Sequence, residues 1–476
     1  MDGQLDRQLS TTPANGSDTD HFTPGRAHLV GIGGSGLSAL AEVLLDAGWE
    51  ISGSDCSPER AEHLIDAGAI VHPGHCRENL PKDADLVVHS DAVPADNPEL
   101  IRAARLGIPV RTYFEMLGRM MRGRHGLAVA GTHGKSTTTA MAAAVLRQSG
   151  LEPTVVCGAQ PIDTCSANSA NSEVMLVEAC EYRANFLHLR PQHAVILGVE
   201  PDHFDFYGST DQLEDAFGRF AGGVASEGLL LCNNDCPTTR RIADQCDCRV
   251  ETFAAGGQAD WTARELHERR GHYRFRLFHG ERPLCEVSLE VPGKHNVLNA
   301  LAAAALAWHN SAPPRAIVRG LERFKGLKRR LEPIGSWRGV SLVDDYAHHP
   351  TEVAATLSTV REMYPGRRFW CVFQPHQVSR TACLLDELAE SLHNVDRLMV
   401  ADIFRARESA PQPGEVTAAD LARLAESGGV QVFHTHEKRG IVRLLQNRLA
   451  PGDVLLTMGA GDIGAICESL TAEQAG

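Results

Sequence analysis

The residues best suited to chemistry form one short stretch, Gly131-Thr132-His133-Gly134-Lys135-Ser136-Thr137. Its two glycines permit a sharp turn and a close approach of the backbone to a ligand. The N–H groups of such a loop suit a phosphate, Lys135 would add positive charge beside the outer phosphates, and the Ser136 hydroxyl could hold Mg²⁺. The spacing is shorter than in the usual eight-residue nucleotide loop, because Val129 stands where the first glycine would be. A plain helix cap is the alternative on this turn alone.

The residues on either side of this loop predict a strand before it and a helix after it. Residues 127–130 are apolar, and residues 140–146 are rich in alanine. A strand, a glycine turn and a helix suit phosphate binding, because the helix N-terminus points its free N–H groups at the ligand. This context favours a phosphate loop over a cap.

A second glycine-rich turn lies near the N-terminus, at Gly31-Ile32-Gly33-Gly34-Ser35-Gly36. It follows an apolar run and precedes a predicted helix at residues 37–47, and Asp55 ends the next predicted strand. The pattern is that of a dinucleotide-binding turn, in which an acid at this distance binds a ribose. It predicts a bound diphosphate without identifying it. Close packing between helix and strand is the other reason for such glycines.

Two polar side chains follow further predicted strands of the central part. Glu178 comes directly after one apolar run, and His203 comes shortly after another, at residues 194–197. The carboxyl ends of parallel strands face one crevice, so we expect both side chains near Ser136. A hard Mg²⁺ ion prefers oxygen ligands, which suits Glu178 and Ser136 better than His203. A solvated surface position is the alternative for either residue taken alone.

Residues 249–290 alternate between polar and apolar side chains, which predicts antiparallel strands. The segment 292–299 ends this pattern before an alanine-rich helix, and Asn296 and Asn299 share one helical face. They would either hydrogen-bond to the edge of a purine base or cap the helix, and the spacing alone favours a cap.

A third α/β unit follows Phe324. Its apolar runs predict strands near residues 341–343, 368–373, 398–400, 430–433 and 453–457. Polar clusters follow the first two. The adjacent His348 and His349 would form a zinc pair only if both rings faced one ion, and neighbours on an extended chain point in opposite directions.

Composition limits the class of protein. A chain of 476 residues suggests about three domains. The net charge of −14 argues against nucleic acid as the main partner, and no apolar run reaches the ~20 residues needed to cross a membrane. The 13 cysteines are scattered, and the pairs Cys232/Cys236 and Cys246/Cys248 have no convincing second ligand pair for zinc. Reduced thiols in a cytoplasmic protein are the expectation.

The alternation of strands and helices predicts an α/β fold with three domains. Residues 1–25 are polar and are expected to form a disordered tail, not an export signal. Residues 26–121 are expected to be Rossmann-like. Residues 122–324 would form a P-loop-type ATPase α/β domain with added β hairpins, and residues 325–476 a second Rossmann-like α/β domain.

The order and spacing of these motifs resemble the Mur ligase family of cell-wall synthesis, over about residues 27–465. The resemblance is carried by residues 31–36, 131–137, 178–181, 202–203, 292–299, 326–330, 344–352 and 373–376. It implies an ATP- and Mg²⁺-dependent ligase that joins L-alanine to the lactyl carboxylate of UDP-N-acetylmuramate through an acyl phosphate, in peptidoglycan precursor synthesis. It also implies a monomer or weak homodimer.

The resemblance assigns roles to particular residues. Catalysis would rest on Lys135, Glu178, His203 and Arg330. ATP would bind Gly131, Thr132, His133, Gly134, Lys135, Ser136, Thr137 and Arg330, with its adenine on Asn296 and Asn299 and its ribose on Asp345. Mg²⁺ would bind Ser136, Glu178 and His203. The UDP-sugar would bind Gly33, Gly34, Ser35, Gly36, Asp55 and His75, and the amino acid Tyr346, His348, His376 and Arg380, with Arg380 paired to its carboxylate.

Three positions depart from the family pattern. Ser136 replaces a threonine but keeps the hydroxyl, Leu197-Gly198 stands where Thr-Asn is usual, and Gln377 replaces an arginine. The alternatives are a family member that adds a whole tripeptide to the same sugar nucleotide and a nucleotide-dependent regulator without ligase activity. An NAD oxidoreductase built on residues 31–36 is a further one, and it leaves the second loop without a role.

Overall fold

The computed structural model describes residues 23–163, 172–406, 408, 412–433 and 437–475. Most of the predicted N-terminal tail, residues 1–22, lies outside the described residues. The fold is α/β with three separate sheets, as the alternation of elements predicts. The expected boundaries near residues 121 and 324 fall between these sheets.

The first sheet has five parallel strands in the order β3-β2-β1-β4-β5. Its strands are β1 Arg26–Val30, β2 Glu50–Asp55, β3 Ile70–Pro73, β4 Leu86–His89 and β5 Val110–Thr112. Its helices are α1 Ser35–Asp46, α2 Glu62–Asp66, α3 Pro98–Leu106 and α4 Tyr113–Met121. Side chains set the start of two helices: Asn97 accepts the N–H of Glu99, and Thr112 forms a capping box with Glu115.

The second sheet has nine strands in the order β14-β13-β12-β11-β10-β9-β6-β8-β7. They are β6 His125–Ala130, β7 Thr154–Val156, β8 Val174–Glu178, β9 His193–Ile196, β10 Leu229–Asn233, β11 Arg249–Ala254, β12 Trp261–Arg269, β13 His272–His279 and β14 Arg282–Ser288. Along the sheet, every neighbouring pair from β7 through β8, β6, β9, β10 and β11 to β12 is parallel. The last two pairs, β12 with β13 and β13 with β14, are antiparallel. The predicted hairpins are therefore an extension of one parallel sheet.

Five helices belong to this central unit: α5 Lys135–Gln148, α6 Thr210–Ala221, α7 Pro237–Ala243, α8 His295–His309 and α9 Pro314–Arg323. Helices α8 and α9 pack against α5. Residues 300–307 of α8 are fully buried, and most of them are alanines. These small side chains let α8 lie close to α5. This packing places Asn299 against the helix that begins at the phosphate loop.

The third sheet has the order β15-β16-β19-β17-β18, with only β15 antiparallel. Its strands are β15 Glu332–Trp337, β16 Val340–Asp345, β17 Phe369–Phe373, β18 Arg397–Val400 and β19 Val454–Met458. Its helices are α10 Pro350–Met363, α11 Val378–Cys383, α12 Leu385–Ser391, α13 Ala418–Ser427, α14 Lys438–Arg448 and α15 Ala465–Ala475. The strand predicted at residues 430–433 is wrong: only an isolated bridge joins Val432 to Leu398.

Short 3₁₀ turns complete the described elements: Pro58–Ala61, Arg77–Asn79, Tyr182–His188 and Leu392–Asn394. Within the described ranges no helix combines the length and the apolar character needed to cross a bilayer. The two cysteine pairs do not form one site: Cys232 pairs with Thr252 on β11, whereas Cys248 lies before the opposite end of that strand. This arrangement does not suit a shared zinc ion.

Candidate functional site

Three neighbouring strands of the central sheet end at one place. Strand β6 lies between β8 and β9, and the phosphate loop follows β6 directly. Glu178 ends β8, and the segment leading to His203 follows β9. The parallel topology therefore brings Ser136, Glu178 and His203 to the same sheet edge, as the strand pattern predicts.

The loop's two glycines adopt backbone angles that other residues avoid. Gly131 has φ of 135° and Gly134 has φ of 77°. A Cβ on Gly131 would lie 3.0 Å from Leu197, and one on Gly134 would lie 2.4 Å from Oδ1 of Asn299. Leu197, one of the departures from the family pattern, thus packs against the loop, and the N–H of Thr132 donates to the Gly198 carbonyl at 2.9 Å.

Lys135 lies beneath the loop and is held by a carboxylate that the sequence analysis did not single out. Its Nζ donates to the Gly131 carbonyl at 2.5 Å and lies 2.9 Å from Glu181. Glu181 is 1% exposed and also lies 3.3 Å from Nε2 of His203. Burial opposes the charge on Lys135, but Glu181 outweighs it and raises the pKa of the ammonium. The lysine is therefore a fixed positive charge at the loop.

Ser136 and Glu178 form the pair of oxygen donors expected for a divalent cation. The Ser136 hydroxyl donates to Oε1 of Glu178 at 2.7 Å, and Oε2 of Glu178 accepts the N–H of Gly158 at 2.7 Å. A carboxylate and a hydroxyl beside a phosphate loop suit Mg²⁺. His203, the third predicted ligand, contacts Glu181 and not Glu178. Thr137 follows on the same first turn of α5 and is half-buried.

His133 connects the loop with the third unit. Its Nδ1 lies 3.1 Å from Glu352 and its Nε2 lies 3.3 Å from Glu200, and its ring packs on His349. Burial opposes a charge on His133, but the hydrogen bonds to Glu200 and Glu352 prevail and raise its pKa to about 9.

The ligand atoms of His133, Glu200 and His349 lie within 4.8 Å of one another, a grouping that would suit a metal. These three side chains join the phosphate loop and the segment after β9 to the start of α10 in the third unit.

Asn296 and Asn299 do not cap α8. Lys294 is the N-cap residue, and the Asn296 amide donates to the Pro292 carbonyl at 2.7 Å. The Asn299 amide donates to Asn296 at 2.9 Å, and its oxygen accepts the Thr138 hydroxyl at 3.2 Å. The pair is buried and ties α8 to α5. Their predicted role toward adenine stays a prediction.

Asp345 organises the start of the third unit. Its carboxylate accepts the N–H groups of Leu331 and Ala347, at 2.6 and 2.8 Å, and the Thr356 hydroxyl at 3.1 Å. Burial raises its pKa to about 6. In this arrangement it positions the backbone beside Arg330, whose guanidinium lies 5.0 Å from the Tyr346 ring centre.

The four residues predicted to bind an amino acid lie together in the third unit. The ring centres of Tyr346 and His348 are 5.6 Å apart, and those of His348 and His376 are 5.5 Å apart. One Arg380 nitrogen lies 2.8 Å from Nδ1 of His376, and another donates to Asp202 of the central unit at 2.8 Å. Burial lowers the pKa of His348 to about 4, so this ring is neutral at pH 7.

The two adjacent histidines point to different neighbours. His348 faces the Tyr346 carbonyl and His376, whereas Nε2 of His349 lies 3.2 Å from the Pro201 carbonyl. They do not form a zinc pair, in agreement with the strand geometry expected for neighbouring residues. Gln377, another departure from the family pattern, is buried at the start of α11 with φ of 66°.

The first glycine turn is held by its own unit. Both oxygens of Asp55 accept backbone N–H groups, from Gly33 at 2.9 Å and from Ser57 at 2.8 Å. Gly34 precedes α1, which begins with Ser35 and Gly36. Nδ1 of His75 lies 2.9 Å from the Ser54 hydroxyl, in a buried network around Glu99. Asp55 and His75 therefore lie at one end of β2, beside the turn.

The first turn also faces the central unit. A Cβ on Gly36 would lie 3.0 Å from the Tyr113 ring, and one on Gly158 would lie 3.8 Å from the Ser35 hydroxyl and 3.4 Å from Glu178. Tyr113 is thus a site residue that sequence reasoning missed, together with Glu181, Asp202 and Glu352. The capping pattern Thr112-x-x-Glu115 only marked a helix start, and nothing in it indicated a site.

The arrangement places the two glycine-rich turns near the Ser136–Glu178 pair, and it groups Tyr346, His348, His376 and Arg380 in the third unit. Lys135 and Arg330 supply positive charge, and Ser136 and Glu178 supply oxygen donors. Such a site can transfer a phosphoryl group and then admit an amine, since both reactions require mainly positioning and neutralised charge.

Three family models match successive parts of the chain. The family models described as "Mur ligase family, catalytic domain", "Mur ligase middle domain" and "Mur ligase, glutamate ligase domain" match residues 26–125, 129–307 and 329–461.

The chain is 40% identical over 447 residues to a UDP-N-acetylmuramate–L-alanine ligase of Clostridium novyi, covering 93% of this chain and 96% of that one. It is 42% identical over 443 residues to the enzyme of the same name from Chlorobaculum tepidum, covering 92% and 93%. Its fold matches the crystal structure of the UDP-N-acetylmuramate-alanine ligase of Thermotoga maritima with a TM-score of 0.79 and 26% identity, covering 94% and 99%.

Proposed function

The chain belongs to the Mur ligase family, and from that premise we propose that it acts as an ATP-dependent UDP-N-acetylmuramate–L-alanine ligase in peptidoglycan synthesis. The observation that carries the proposal is the 40% identity to an enzyme of that name over nine-tenths of both chains. ATP and UDP-sugars are cytoplasmic metabolites, and the proposal places the reaction in that compartment.

In the first step, the γ-phosphoryl group of ATP passes to the lactyl carboxylate of UDP-N-acetylmuramate. The bond to the β-phosphate oxygen breaks, and ADP and an acyl phosphate form. This reaction depends on positioning and on neutralising the charge of the transferred group. The loop N–H groups and Lys135 would hold the ATP phosphates, and Arg330 would face them from the third unit's edge.

The Mg²⁺ ion implied by the family fits the residues present. Ser136 and Glu178 would hold it, since their oxygens converge beside the loop. When bound, the ion neutralises phosphate charge. His203 lies on Glu181 instead, and we assign it to orienting that carboxylate under Lys135.

In the second step, the amine of L-alanine attacks the acyl carbon. The C–N bond forms, the C–O bond to phosphate breaks, and phosphate and a proton leave. Arg380 would bind the alanine carboxylate. The neutral ring of His348 adds no positive charge to repel the incoming ammonium group. Asp55, His75 and the first glycine turn would hold the UDP part of the acceptor.

One assay tests the proposal: phosphate release from ATP with UDP-N-acetylmuramate, with and without L-alanine. Release that depends on both substrates supports the ligase. No release contradicts it, and release with a tripeptide but not with L-alanine identifies the tripeptide-adding activity instead.

A further inference from the structure

Glu352 is the residue at which the separate parts of the site meet. It lies in the first turn of α10, in the third unit. Its Oε1 lies 3.1 Å from Nδ1 of His133 in the phosphate loop, and its Oε2 accepts the backbone N–H of His348 at 3.3 Å. Arg330 lies 4.0 Å away. One carboxylate thus contacts the ATP loop and the amino-acid group.

The charge on Glu352 is needed to keep these contacts together. Its side chain is 15% exposed, and burial opposes its ionisation. The hydrogen bond from His133 and the charges of His133 and Arg330 help to outweigh burial and lower the pKa of Glu352 well below the ordinary value. A charge-assisted hydrogen bond of this kind is stronger and more directional than a neutral one.

The same helix has a second contact with the central unit at its other end. The Tyr273 hydroxyl lies 3.1 Å from Glu362, and a Cβ on Gly271 would lie 2.7 Å from Met363. Helix α10 is therefore held at both ends by the central unit, with one glutamate among the contacts at each end. Of these two glutamates, Glu352 is the one that contacts residues of the proposed active site.

We propose that Glu352 is a positioning residue that aligns the amino-acid group with the phosphate loop, by joining His348 to His133 across the boundary between the two units. The inference rests on the proposed ligase function. It predicts that without this carboxylate the acyl phosphate still forms but the amine is misplaced. Water then intercepts part of the intermediate, because small errors in alignment strongly slow an attack within a bound complex.

The test compares Glu352→Gln with the matched control Glu362→Gln. For each variant, ADP release and amide formation are measured together, along with KM for UDP-N-acetylmuramate. We expect Glu352→Gln to lower the rate of amide formation roughly tenfold to hundredfold. The ADP-to-amide ratio should rise above one, with KM for the UDP-sugar within about twofold of wild type. Glu362→Gln should leave all three quantities near wild type.

Two further variants distinguish a loss of alignment from a general loss of structure. Glu352→Asp keeps the charge but withdraws it by one methylene group, and should raise the ratio less than Glu352→Gln. Adding His133→Asn to Glu352→Gln should raise the ADP-to-amide ratio little further, because both substitutions remove the same contact between His133 and Glu352.

A ratio that stays at one in Glu352→Gln overturns the inference, as does an equal effect of Glu362→Gln. A wild type that releases no ADP with both substrates overturns the proposed function and this inference with it.

Discussion

The chain contains two glycine-rich turns between a strand and a helix, and they are built differently. The first, at residues 31–36, is held within its own unit by Asp55, which accepts the N–H of Gly33 with one oxygen and that of Ser57 with the other. The second, at residues 131–137, depends on residues far along the chain, among them Glu181, Asn299 and Glu352. The first turn is therefore fixed by contacts within its own unit, whereas the second also depends on a contact with the third unit.

The glycines of the two turns serve partly different purposes. Gly33 is needed for space, because a Cβ there would lie 3.0 Å from Asp55. Gly34 has φ of −70°, which any residue adopts. Gly131 and Gly134 have positive φ angles. The first turn also has one glycine with a positive φ, Gly31 at 88°, so it requires glycine both for backbone shape and for space, whereas both glycines of the second turn have positive φ.

The largest expected effect is the loss of turnover when the lysine of the second turn is removed. Lys135→Ala should lower turnover about a thousandfold or more, because it removes the fixed cation beside the transferred phosphate. UDP-sugar affinity, measured by calorimetry, should stay within about twofold. Lys325→Ala, at an exposed lysine paired with Glu290, is the matched control and should behave as wild type. Loss of UDP-sugar binding together with turnover would contradict two separate sites.

The second prediction compares Gly134 of the second turn, which has positive φ, with Gly34 of the first turn, which has negative φ. Gly134→Ala should cost about 1–3 kcal/mol of folding free energy, because φ is positive and the new Cβ meets Asn299. Gly34→Ala should cost about 0.5–1 kcal/mol, the usual difference at a helix N-cap. The thermal midpoint of each variant measures the loss of stability, and KM for ATP shows whether the phosphate loop is disturbed. Equal losses of folding free energy in the two variants would show that the positive φ of Gly134 does not set it apart from Gly34.

This contrast also explains what could be predicted from the sequence. The strand, turn and helix around each glycine motif are local, so the placement of Lys135, Ser136 and Glu178 follows from apolar runs and sheet topology. The partners of these residues are not local. Glu181 lies 46 residues from Lys135 and Glu352 lies 219 residues from His133, and no periodic pattern connects them.

The missed elements have a similar cause. Strand β15 pairs antiparallel with β16 through a register shift between Pro333 and Gly335, and its own residues show little apolar alternation. Residues 430–433 are apolar enough for a strand but meet β18 at one bridge only. In both cases tertiary pairing, and not local propensity, decides the structure.

The third prediction concerns the carboxylate that holds the first turn. Asp55→Asn keeps one acceptor and places an amide N–H against the N–H of Gly33 or Ser57, which costs about 1.5–3 kcal/mol, the contribution of a hydrogen bond to a charged group. We expect UDP-sugar affinity to fall roughly tenfold to hundredfold, with KM for ATP within about twofold. Asp66→Asn, at an exposed position ending α2, is the control. A rise in KM for ATP of equal size would mean that Asp55 also supports the second turn.

The smallest effect is a pH dependence that only the second turn should show. His133 has its pKa raised from 6.5 to about 9 by Glu200 and Glu352, against the opposing effect of burial. A raised pKa stabilises the folded state fully below about pH 6.5, and this contribution is lost as the pH rises through 9. The thermal midpoint of His133→Asn should therefore lie a few degrees below wild type at pH 6.5, and the difference should shrink by pH 9.5. Ser35→Ala, in the first turn, removes no ionisable group, so its difference from wild type should not change with pH. A His133→Asn difference that stays constant or grows over this range would mean that the loop histidine is not held as a cation between the two glutamates.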